Sequence, residues 1–126
     1  MKYESTEFSP VERSQISNYA SASGDFNRIH LDEDFAKAAG LPAVIAHGML
    51  VMGLAASALE RWGFNRQKVK FFETKFKDKV FPGDKLIAEF IKIQEDAGPN
   101  KDARQVFWRL VKSTGEEVLT AEALLK

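Results

Sequence analysis

Asp25 and His30 stand five residues apart in the run Gly24-Asp25-Phe26-Asn27-Arg28-Ile29-His30. A carboxylate can orient a water molecule while an imidazole that titrates near neutrality takes or gives a proton, so the pair suits addition or removal of water. The same residues are ordinary turn vocabulary: glycine permits positive φ, and Asp and Asn side chains cap neighbouring backbone. Spacing alone favours the turn over the active site. The elements around the pair therefore decide what it is for.

Ser9-Pro10-Val11-Glu12 places a hydroxyl at N-cap, proline at N1 and glutamate at N3, a capping box that predicts a helix running to about Ala22, with Gly24 ending it. Asp32 or a neighbour caps a second short helix across Glu33 to Ala39, closed by Gly40-Leu41-Pro42. Asp25 to His30 then forms a loop between two helices. From Val44 to Leu59 the sequence is almost wholly apolar, broken only by His47, Gly48, Gly53 and Ser57, and reads as a helix buried on most sides. The run falls short of the ~20 apolar residues that a bilayer span needs.

The second half alternates with period two over Lys70 to Lys79, Lys85 to Glu95, Arg104 to Ser113 and Glu117 to Leu125, which predicts four strands. Phe81-Pro82-Gly83-Asp84, Ala97-Gly98-Pro99-Asn100 and Ser113-Thr114-Gly115-Glu116 supply the turns between them. A further strand around Lys2 to Phe8 brings the count to about five. Helices segregated from a run of antiparallel strands give an α+β fold class, one domain over residues 1–126, with a curved sheet wrapped around a long apolar helix.

The chain has 126 residues, with 18 basic and 18 acidic side chains in balance and no cysteine. The balance removes the field that would draw the whole domain onto nucleic acid or an anionic membrane. No thiolate nucleophile, thiolate metal site or disulfide is available. The polar start Met1-Lys2-Tyr3-Glu4-Ser5-Thr6-Glu7 lacks signal- and transit-peptide character, so a cytoplasmic location is expected.

Ala22-Ser23-Gly24-Asp25-Phe26-Asn27-Arg28-Ile29-His30-Leu31-Asp32, followed by Phe35-Ala36 and by Ile45-Ala46-His47-Gly48-Met49-Leu50, resembles the signature of the MaoC-like (R)-specific enoyl-CoA hydratases and 3-hydroxyacyl-thioester dehydratases. Phe76, Val80, Pro82, Gly83 and Asp84 resemble the family's later F-x-x-x-V-x-P-G-D element, so the likeness spans nearly the whole chain. It implies a hot-dog fold and a homodimer, or a heterodimer of hot-dog chains, whose sheets join edge to edge. It implies (R)-specific hydration of trans-2-enoyl thioesters in fatty acid metabolism, carried by coenzyme A or acyl carrier protein as part of the substrate, with no metal or redox cofactor. Carried over residue by residue, it makes Asp25 and His30 the holders of the catalytic water and Gly48 the oxyanion donor. Asn27, Arg28, His47 and Met49 would border the substrate. Gly48 has a physical warrant, because amides at a helix start are unpaired and sit at the positive end of the helix dipole.

One position departs from the family pattern: Arg28 stands where proline is usual, replacing a fixed φ by a cation. Pointing inward it would sit beside the acid–base pair or touch a substrate phosphate; pointing outward, the orientation favoured here, it is a solvated side chain. His47 is expected to fix a loop by a local hydrogen bond, Asn27 to hold its loop, and Ser57 to bond a helix carbonyl. Asp32, Glu33 and Asp34 lack metal-ligand spacing and read as a solvated helix face. Phe71, Phe72 and Phe76 alternate imperfectly and fit either core or acyl-tunnel lining. A non-catalytic hot-dog subunit or acyl-thioester-binding protein, and a hot-dog thioesterase, are the rival functions.

Overall fold

The computed structural model describes residues 3–126. Five antiparallel strands form one sheet in the order β1-β3-β4-β5-β2: β1 (Thr6–Glu7), β2 (Val69–Phe76), β3 (Leu86–Ala97), β4 (Ala103–Lys112) and β5 (Glu117–Leu125). The four expected strands of the second half are all present, within three residues of their expected ends. The N-terminal strand shrinks to two residues paired with Ile87 and Ala88, and Lys2, its expected start, lies outside the described residues.

Four helices precede or cross the sheet: α1 (Arg13–Ser23), α2 (Arg28–Leu31), α3 (Glu33–Ala38) and α4 (Gly48–Arg61). The capping box does not form. The N–H of Val11 donates to Asp84 O at 2.9 Å and its carbonyl accepts from Gly83 at 2.7 Å, so long-range backbone pairing holds residues 9–12 extended. Helix α1 starts only after Glu12, which serves as an N-cap without a side-chain hydrogen bond. Gly24, at φ 79°, ends it as expected in the left-handed conformation.

The long helix also starts later than its apolar run, at Gly48 rather than Val44, because Ala46 N–H donates to Val80 O at 2.8 Å and Ile45 N–H to Ile29 O at 3.1 Å. It is buried on one face only. Val51, Ala55, Ala58 and Leu59 face the sheet, whereas Met49 is 62% exposed. Trp108, fully buried on β4, donates its indole N–H to Ala55 O at 2.9 Å and stacks on Phe72 with ring centroids 5.7 Å apart. The sheet thus wraps α4 with β4 and β5 at its centre. Among the described residues no helix is long and apolar enough to cross a membrane.

A bulge on β2 between Val69 and Phe71 accounts for the imperfect phenylalanine alternation. Phe72 reaches the core, Phe71 is exposed, and Phe76 points at the start of α4.

Candidate active site

Asp25 immediately follows the left-handed Gly24, and one of its own oxygens shapes the next turn: Oδ1 accepts the Asn27 N–H at 3.1 Å. Asn27 Oδ1 in turn accepts the Ile29 N–H at 3.1 Å, which caps α2. The expected loop is therefore helical in its second part, and His30 sits in that short helix, 9% exposed. Asp32 closes α2 and caps α3 by accepting the Phe35 N–H at 3.1 Å. Asn27 and Asp32 both act as the sequence predicts.

His30 Nδ1 lies 2.7 Å from Ile45 O. A carbonyl can only accept, so Nδ1 carries the proton and Nε2 keeps its lone pair. His47 Nε2 lies 3.0 Å from Asp25 O, and by the same argument it donates, leaving the lone pair on Nδ1. That Nδ1 is buried without a partner. The two imidazoles stack with centroids 3.8 Å apart and planes 24° from parallel, and Tyr19 closes on His47 at 4.8 Å.

Ligand-type atoms of Asp25, His30 and His47 all lie within 4.8 Å of one another. No direct ion pair joins the carboxylate to either ring among the described residues, so the separation suits one bridging water. The sequence did not announce this triple, because His47 is 22 residues from Asp25. As a metal set it fits poorly: two of the ring nitrogens are committed as donors to carbonyls, and near-parallel stacked rings do not converge their remaining lone pairs on one point.

A cleft of about 490 Å³ is bordered by Tyr19, Ser23, Asp25, His47, Gly48, Met49 and Phe76. Helix α4 opens into it at Gly48, with no side chain capping its first amides. A β-carbon at position 48 would meet the Phe76 ring at 3.5 Å, ordinary contact distance. His30 is not among the walls; it lies against His47, which is. A larger open groove, about 820 Å³, collects Glu89, Arg109 and Glu117 elsewhere on the sheet, but Arg109 already pairs with both glutamates at 2.8–3.0 Å.

Arg28 points away from the cleft. Its guanidinium pairs with Asp32 at 2.9 Å and lies 4.6 Å from the centroid of Phe35. Asp32 is held below the ordinary carboxylate range, chiefly by the Arg28 hydrogen bond and then by the Phe35 amide. Glu33 is lowered likewise by Arg13, its partner at 2.8 Å on α1. Both pairings therefore persist above the usual carboxylate range and are lost only as pH falls through the depressed values. Ser57 donates to Leu54 O at 2.7 Å, a structural role.

A model of the MaoC like domain matches residues 1–108. Over 109 residues, 83% of this chain, the sequence is 37% identical to a fatty acid synthase β subunit of Emericella nidulans, of which it spans 6%. It is 44% identical over 66 residues, 51% of this chain, to the peroxisomal hydratase-dehydrogenase-epimerase of Saccharomyces cerevisiae, of which it spans 7%. Among solved structures, the (R)-hydratase from A. caviae involved in PHA biosynthesis superposes with a TM-score of 0.79 at 26% identity, covering 98% of this chain and 93% of that one. The shared architecture is the hot-dog fold.

Proposed function

Because the chain belongs to the MaoC-like domain family, we propose that it catalyses reversible hydration of a trans-2-enoyl thioester to the (R)-3-hydroxyacyl thioester. The observation that carries this reading is that Asp25 and His30 bring ligand-type atoms within 4.8 Å of each other, with a lone pair left on His30 Nε2, while Asp25 shares a cleft with the uncapped start of α4 at Gly48. The Gly48 amide polarises the thioester carbonyl and stabilises the enolate oxygen as it develops. Electron density leaves C3, and a water between the Asp25 carboxylate and His30 attacks there. Nε2 of His30 takes a proton from that water as its oxygen bonds to C3. The proton then passes to C2, so the elements of water are added without net change at the protein. Asp25 orients the water and relays the proton. The reading uses no metal. Asn27 shapes the loop, while His47 and Met49 border the cleft that receives the pantetheine-linked acyl group.

The purified protein should deplete the conjugated absorbance of crotonyl-CoA without releasing thiol. Asp25→Asn and His30→Ala should each lower the rate by about 10²–10⁴-fold with the fold retained. Released thiol would favour a thioesterase. A folded protein inactive across acyl lengths would leave only binding.

The same reading joins two copies through β2, which is bordered by β5 alone. Opposed residues of an antiparallel pair share a face, so the two-fold axis must fall on a residue. Centring on Glu73, Lys75 or Phe76 sets like charges opposite each other, and centring on Phe72 draws the Lys70 bulge into the ladder. Centring on Thr74 sets Glu73 against the partner's Lys75 and Phe72 against the partner's Phe76. Cα atoms at such a centre are about 4.5–5.5 Å apart, within disulfide reach. Thr74→Cys, in a chain with no other cysteine, should therefore form a cross-linked dimer on oxidation. A dimer that fails to cross-link would overturn this register, and a monomer would overturn the pairing.

A further inference from the structure

His47 is only 2% exposed, yet it touches every part of the site. Its Nε2–H holds the backbone of Asp25 at 3.0 Å, its face stacks on His30 at 3.8 Å, and its backbone is the N-cap of the helix that begins at Gly48. The ring is also poorly suited to stabilising the fold. A buried nitrogen with no partner is a cost to the folded state, and Nδ1 of His47 is such a nitrogen. A phenyl ring of similar shape would fill the same space beside Tyr19 and His30 without that cost.

We propose that His47 is the positioning residue of the acid–base pair, keying Asp25 through one hydrogen bond and His30 through ring stacking. The two contacts act on different atoms. The bond to the Asp25 carbonyl sets where its carboxylate stands relative to Nε2 of His30. The stack fixes the plane of the His30 imidazole, and with it the alignment of Nδ1–H on Ile45 O that keeps the lone pair on Nε2. The proposal rests on the hydratase reading for its rate effects but not for its effect on the His30 tautomer.

Three variants separate the contacts: His47→Phe keeps the stack and loses the donor, His47→Gln keeps a donor and loses the ring, and His47→Ala loses both. Turnover of crotonyl-CoA should fall at least about 100-fold in His47→Ala with KM within about threefold, and each of the other two should recover part of the loss. His47→Phe should melt at or above the wild-type temperature while remaining slower, a split that a purely structural histidine would not produce. Nitrogen-15 NMR should show one fixed tautomer of His30 in the wild type and in His47→Phe, and averaged tautomers in His47→Ala and His47→Gln. Turnover of His47→Phe and His47→Gln both within about threefold of wild type overturns the proposal, as does an unchanged His30 tautomer in His47→Gln. If His47→Ala does not fold, those two variants still decide it. If the wild type itself hydrates nothing, the hydratase reading fails and the tautomer measurement alone decides the role of His47.

Discussion

From Leu86 to Leu125 the chain is held by ladder bonds repeated across three neighbouring strands, over a core in which Val106, Trp108 and Leu110 are wholly buried. From Gly24 to Gly48 it is held largely by single contacts: an Asx turn at Asp25, the Asn27 and Asp32 caps, the Arg13–Glu33 ion pair, and one bond each from His30, Ile45, Ala46 and His47. Side chains 24–28 are all exposed. The sheet is redundant, so losing one contact there changes the free energy of the whole. In the site segment each of these contacts holds a different atom, so losing one changes the position of that atom. Stability and chemistry thus reside in different parts of a small molecule.

That division can be broken most forcefully at Trp108. Trp108→Ala removes the Phe72 stack and the bond to Ala55, and should destabilise by about 3–5 kcal/mol in urea melts while kcat of the folded fraction stays near wild type. A loss of turnover as large as that from a site substitution would erase the distinction. Gly48→Pro is the converse. Position 48 is the first residue of α4, where proline is tolerated, and His47 already has φ −61° and ψ 138°, which suit a residue before proline. The variant deletes the proposed oxyanion N–H and should cost about 10²–10³ in kcat with little change in Tm, whereas Gly48→Ala keeps the donor. Equal activities of the two would remove Gly48 from the mechanism.

The smallest effect is expected at Arg28. Its backbone N–H, at the first position of α2, has no hydrogen bond among the described residues, and Asn27 at φ −56° and ψ 129° can precede proline. Arg28→Pro should leave turnover within about twofold and raise Tm by no more than about 5 °C. A large fall in turnover would give the guanidinium a part in the site that its outward pairing with Asp32 argues against.

The same contrast explains what the sequence disclosed. Period-two alternation made the four long strands legible, and the Asp32 cap was legible because a cap is decided within three residues, whereas the one-turn helix that Asn27 caps is too short to carry a periodic signal. The capping box at Ser9 misled because its competitor, the pairing of Val11 with Gly83 and Asp84, is some seventy residues away and leaves no local trace. The apolar run overstated α4 for the same reason, since Val80 captures Ala46 before the helix can include it. His30 and Asp25 could be picked out by type and spacing. Their junction through His47 could not, because a stack and one carbonyl bond between distant residues have no periodicity.

The bond from Ala46 to Val80 also orders events in time. Residues 25–48 leave the ribosome well before the turn that anchors them, and closing that loop costs chain entropy that only the assembled strands repay. Until residues 80–84 are in place, the backbone at Ala46, next to His47 and Gly48, lacks the Val80 carbonyl that holds it. The proposed site is therefore completed late in folding, and a nascent chain stalled before Val80 would carry the motif without the bond that fixes its far end.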